Sequence, residues 1–159
     1  MNFSRLALCA LFLTFFALTG LQAQQVYVWD FYKVAVTLPD DFKVVTNNDN
    51  EFECAGDGMH LYMYVFDDGE VTLDQMGAAT RRAGRQMKFE MKDEEYDVSH
   101  NGFEGTYMLG YAEGVQVMLA GLINPGNNTN FFVAIVFEDG DEVALEDGLA
   151  ILNSLDRTK

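Results

Sequence analysis

Apolar and polar residues alternate along this chain in short runs, and those runs predict strands joined by tight turns, with two helical interruptions. Val26 to Leu38 (VYVWDFYKVAVTL) is rich in aromatic and β-branched residues, the composition of a strand. Pro39-Asp40-Asp41 ends it, because proline fixes φ and short acids bond nearby backbone. Phe42 to Thr46 and Glu51 to Ala55 read as short strands parted by the polar run Asn47-Asn48-Asp49-Asn50. Asp57-Gly58 reads as a hairpin turn. Met59 to Phe66 (MHLYMYVF) is then a strand apolar on both faces, as in a strand covered on both sides, and Asp67-Asp68-Gly69 closes it.

Two segments carry helical spacing. Thr72 and Gln75 stand at capping-box separation. Leu73, Met76, Thr80, Ala83 and Met87 then recur every three or four residues, which predicts one buried stripe on a helix ending near residues 88–91. Gly77 and Gly84 lie at the edge of that stripe, where a missing side chain permits close approach of a neighbouring backbone. Tyr96 to Val98 is a short strand, followed by the hairpin signal Asn101-Gly102. Phe103 to Tyr111, Val115 to Ile123 and Phe131 to Phe137 follow as strands, separated by Glu113-Gly114 and Asn124-Pro125-Gly126-Asn127-Asn128. A second helix is predicted from about Asp141 to Leu155, with Leu145, Leu149 and Leu152 inward. Tight turns favour antiparallel pairing. The expectation is an α+β fold: a mainly antiparallel sheet of about six strands covered by the two helices.

The start of the chain has a different character. Leu6 to Leu18 is an uncharged apolar run of 13 residues, preceded by Arg5 and followed by Thr19-Gly20 and the cleavage triplet Leu21-Gln22-Ala23. It is shorter than a membrane span of about 20 residues. The pattern predicts a signal peptide over residues 1–23 and one globular domain over 24–159, with Gln24 as the new N-terminus. Cys9 lies inside the run after Leu8, whereas a lipoprotein cysteine follows the run after a small residue. No stable membrane insertion is expected once the leader is cleaved, and the expected location is the periplasm or the extracellular space of a bacterium.

Composition sharpens this. The 159 residues are 49% hydrophobic and 22% charged, a single-domain length and a globular balance. Leader removal takes away Arg5 and no acid, leaving 9 basic against 25 acidic side chains. That surplus of acids argues against nucleic acid as a partner, because phosphate contacts need a basic surface. Cys54 alone remains, so no internal disulfide staples the body.

The order of elements, together with Val34 to Phe42 (VAVTLPDDF), the Thr72 helix, Gly105 with Tyr107, and the ending Ile151-Leu152-Asn153-Ser154-Leu155, resembles the PsbP-like family. That family is an α/β/α sandwich found in extrinsic photosystem subunits, in a nuclear import factor that binds a small GTPase, and in bacterial envelope proteins. The resemblance spans nearly all of the mature chain and implies binding of other proteins without catalysis. Its shared features are fold punctuation, so no functional residue carries over.

Candidate chemistry is sparse. Arg81, Arg85, Lys88 and Lys92 fall on one side of a helical wheel, opposite the apolar stripe, with Arg82 beside them. This basic stripe is the candidate docking face for a protein partner with an acidic surface, or else a solvated face paired with neighbouring acids. Two acidic loops, Asp67-Asp68-Glu70 and Glu138-Asp139-Asp141-Glu142, lack the spacing of a calcium-binding hand. Cys54, His60 and His100 offer no close ligand pair for zinc, and Met59, Met63 and Cys54 read as core filler before a copper site. Ser99 and His100 are sequence neighbours, which point to opposite faces in a strand. No metal, cofactor or catalytic residue is expected. Trp29, Phe31, Tyr62, Tyr64, Tyr107 and Tyr111 are candidates to line an apolar groove. The expected role is an exported, non-catalytic protein-binding module, with a carrier of a small hydrophobic ligand as the alternative.

Overall fold

The computed structural model describes residues 24–56, 58–66, 71–92, 94–124, 129–137 and 142–158. The leader, the turn residue Asp57, the Pro125 loop and both acidic loops up to Glu142 lie outside them, apart from the backbone of Glu142. In chain order the elements are β1 (Gln24–Trp29), β2 (Val34–Pro39), β3 (Lys43–Asn47), β4 (Glu51–Gly56), β5 (Met59–Val65), α1 (Leu73–Gln86), β6 (Glu90–Met91), β7 (Tyr96–His100), β8 (Phe103–Ala112), β9 (Val115–Asn124), β10 (Thr129–Phe137), α2 (Glu142–Asn153) and β11 (Asp156–Arg157). The class is α+β and every strand pairing is antiparallel.

The described residues form eleven strands, not about six, in two sheets: a large one ordered β3-β4-β5-β10-β9-β8-β6, with β7 also on β8, and a small one ordered β1-β2-β11. One cause is local. Val26 to Leu38 is two strands, folded back at Asp30–Lys33 so that Trp29 opposes Val34. The turn has no glycine or proline to announce it; Lys33 itself takes the left-handed conformation, at φ 55°. Two of the later turn signals hold. Asn101 and Gly102 (φ 48° and 84°) and Glu113 and Gly114 (φ 52° and 91°) have positive φ at both central positions, the hairpin geometry that matches strand twist.

Side-chain alternation splits the large sheet into two faces. One carries Phe52, Leu61, Met63, Phe131, Val133 and Leu122, which pack with Trp29 and Val36 of the small sheet and Ile151 and Leu152 of α2 into the main core. Ser154, just past α2, accepts the Thr37 amide at 2.9 Å and so ties the helix end to β2. The opposite face carries a smaller cluster of Met108, Val117, Leu119 and Ala134, beside which α1 lies across β8 and β9. Helices therefore sit on both faces, with the small sheet sharing one of them.

The α1 seat differs from the predicted stripe. Its buried residues are Met76, Gly77, Ala79, Thr80 and Gly84, whereas Leu73 is 47% and Met87 40% exposed. Small residues set this rotation. A side chain at Gly121 of β9 would collide with Thr80 Oγ1 and come within 2.9 Å of Met76 Sδ, so helix and strand approach where glycine leaves room. The Gln75 side chain reaches back to the Thr72 amide at 3.3 Å, within the expected capping box. The helix stops at Gln86. Phe89 N–H bonds Gly84 O at 2.8 Å and Lys88 N–H bonds Arg85 O at 3.3 Å, the paired closure of a Schellman motif, with Lys88 at φ 54° in the position usually held by glycine.

Candidate functional site

That early stop divides the basic stripe. Arg81 and Arg85 lie on α1; Lys88 lies in the reversal after it, and Lys92 lies beyond β6, where its amide donates to the Leu109 carbonyl at 2.8 Å. The four side chains are all exposed but do not form one helical stripe, because the helical wheel ends before the last two. Two of them are occupied. Arg81 is ion-paired with Glu95, and Lys88 with Glu113 at 3.0 Å.

The aromatic candidates are also divided. Trp29 is fully buried and donates its indole N–H to the Asn48 carbonyl at 2.6 Å. Phe31 is exposed in the β1–β2 turn. Tyr107 packs against the main core and stacks on Tyr96, with ring centres 5.1 Å apart. Only Tyr62 and Tyr64 come together, and the structure adds His60. The three rings form a ladder along β5: His60 to Tyr62 at 5.8 Å and Tyr62 to Tyr64 at 6.0 Å, with planes within 12° and 7°.

The ladder occupies the part of the sheet face that α1 leaves open. Cross-strand pairing puts Glu53 beside Tyr62 and Glu51 beside Tyr64 on β4; on β10 it puts Phe132 beside Tyr64, Ala134 beside Tyr62 and Val136 beside His60. Tyr64 is 37% exposed, and Phe132, Val136 and Tyr62 are half-buried. Tyr62 OH lies 3.2 Å from His60 Nδ1, and Glu53 Oε1 lies 3.8 Å from the same nitrogen. Tyr64 is pushed up to about 12, first by burial and then by the Glu51 charge; Tyr62 is also raised, by burial and by Glu53. Burial is the first cause of both shifts, and the Glu51 and Glu53 carboxylates beside the rings add to it.

The remaining candidates separate by face. Cys54 is buried in the main core with Met59 and Met63. Its thiol is pushed up to about 12 by burial and secondarily by Glu53. Cys54 pairs with Leu61, so His60 lies on the other side of the sheet. Ser99 and His100 alternate along β7. No group of three or more His, Cys, Asp or Glu among the described residues is arranged to hold a metal. No described helix is long and apolar enough to cross a membrane. The clefts at the surface are open; one of about 340 Å³ lies between the small sheet and α2, lined by Gln24, Thr37, Asp147 and Ser154.

No protein-family model matches the chain. No curated protein matches it either. Among solved structures, a protein from Bacteroides thetaiotaomicron VPI-5482 is similar at TM-score 0.49 and 12% identity, over 86% of this chain and 48% of its own. The chain thus spans about half the length of that protein.

Proposed function

We propose that this is an exported, non-catalytic protein-binding module, and that its docking surface is the uncovered half of the large sheet on the α1 side. The observation that carries the reading is the aromatic strip His60-Tyr62-Tyr64, continued by the half-buried Phe132, beside a helix whose main contacts among the described residues are with β8 and β9. Aromatic side chains are costly to leave wet and rigid enough to bind with little entropy loss, which is why they concentrate in binding surfaces. The basic stripe is the weaker surface, since Arg81 and Lys88 already hold acidic partners. Helices on both sheet faces support the PsbP-like reading of the fold.

A photo-crosslinking side chain placed at Tyr64 and, separately, at Arg85 tests the surface in the native envelope. A discrete adduct from position 64 supports the reading. An adduct from position 85 alone moves docking to the basic face, and none from either position refutes protein binding.

A further inference from the structure

We infer that the strip of β5 receives an arginine-bearing, extended segment of a partner protein. This rests on the docking surface proposed above and assigns it a chemistry. Three features of the strip converge on that class.

The first is shape. Tyr62 and Tyr64 are two residues apart on one strand and their rings run parallel. An extended segment presents side chains to one side at every second residue, with the same repeat. The second is charge. Glu53 and Glu51 stand directly across from the two rings, in the same order. A guanidinium laid on a tyrosine face can also fork its N–H groups to the carboxylate beside it, which an ammonium does less well. The third is the sign of the surroundings. The mature chain carries 25 acids against 9 basic side chains, so the long-range field draws cations toward it. Locally the same sign is set by Glu51 and Glu53, which stand beside Tyr64 and Tyr62. An acidic segment laid on the two rings would meet Glu51 and Glu53 directly and the long-range field of the chain.

The test uses a capped peptide with arginine at alternate positions, its citrulline counterpart, which keeps shape and loses charge, and its glutamate counterpart. Binding is followed by fluorescence anisotropy, with Trp29 emission confirming that each variant is folded. The arginine peptide is expected to bind saturably, more weakly as salt rises, and the other two at least about tenfold more weakly. Tyr64→Leu and Glu53→Gln are each expected to weaken it about threefold. Glu94→Gln, which removes an exposed acid between β6 and β7, is expected to change nothing. Equal binding of the citrulline peptide, or equal loss in Glu94→Gln and Glu53→Gln, overturns the inference. An adduct from position 64 without arginine-peptide binding leaves the docking surface standing and removes only the cationic partner.

Discussion

The contact that decides how much of the sheet stays open is the seat of α1 on Gly121, and it can be tested by filling it. Gly121→Ala places a methyl against Thr80 Oγ1 and 2.9 Å from Met76 Sδ, both in side chains that are fully buried. Overpacking of this kind costs about 1–3 kcal/mol. If Thr80 turns aside, it also gives up its 2.9 Å hydrogen bond to the Met76 carbonyl, about 1 kcal/mol more. The expected loss is therefore about 2–4 kcal/mol. At roughly 3–5 °C per kcal/mol for a domain of this size, Tm falls by about 10 °C. Thr80→Ala alone opens a small void and is expected to cost about 1–2 kcal/mol. In the double variant the new methyl occupies the space of the lost hydroxyl, so the two losses overlap by at least about 1 kcal/mol. Urea titration followed by Trp29, the one tryptophan of the chain, measures all three. Losses that add within about 0.5 kcal/mol refute this seat, and with it the uncovered strip.

Other outcomes follow from local conformation and titration. Lys88→Gly should stabilise the protein by about 0.5–1 kcal/mol in the same titration, since relief of a left-handed lysine exceeds the loss of an exposed ion pair, whereas Lys88→Ala should not stabilise it; greater destabilisation by Gly than by Ala would sink this. Native Cys54 should react with a thiol reagent at pH 8 more than about 10³-fold slower than the unfolded chain, because its thiolate is disfavoured by burial. The same raised thiol stabilises the fold fully below pH 9, and that contribution is lost as pH rises from 9.0 toward about 12. Cys54→Ala should therefore show a shallower stability loss between pH 9 and 10, and an unchanged slope would count against the buried thiol.

Strand positions were legible because alternation and turn chemistry are local. Asn101-Gly102 and the glycine of Glu113-Gly114 announce their hairpins through residues suited to positive φ. The turn at Lys33 does not, and the first hairpin reads as one long strand. The α1 face was misread for a related reason. Hydropathy weights Leu73 and Met87, but close packing decides the seat: Met76 and Thr80 meet Gly121, Gly77 faces Glu95, and Gly84 faces Phe89 and Leu119. The reversal at Lys88, just past the helix end at Gln86, carries no sequence signal because a lysine occupies a glycine position, so a helical wheel extends the basic stripe too far. Residues 60, 62 and 64 visibly share one parity. That their side of the sheet stays uncovered depends on where α1 comes to rest, a matter of tertiary packing that no stretch of β5 encodes.

The small sheet has a consequence for the order of events during synthesis. Its middle strand, β2, is bordered by β1, its immediate predecessor, and by β11, which the ribosome adds about 120 residues later; Asp156 lies opposite Ala35. The sheet that lids the main core can be completed only once Asp156 and Arg157 have been added. A nascent chain therefore keeps that core unlatched until β11 emerges, long after β1 and β2 have met.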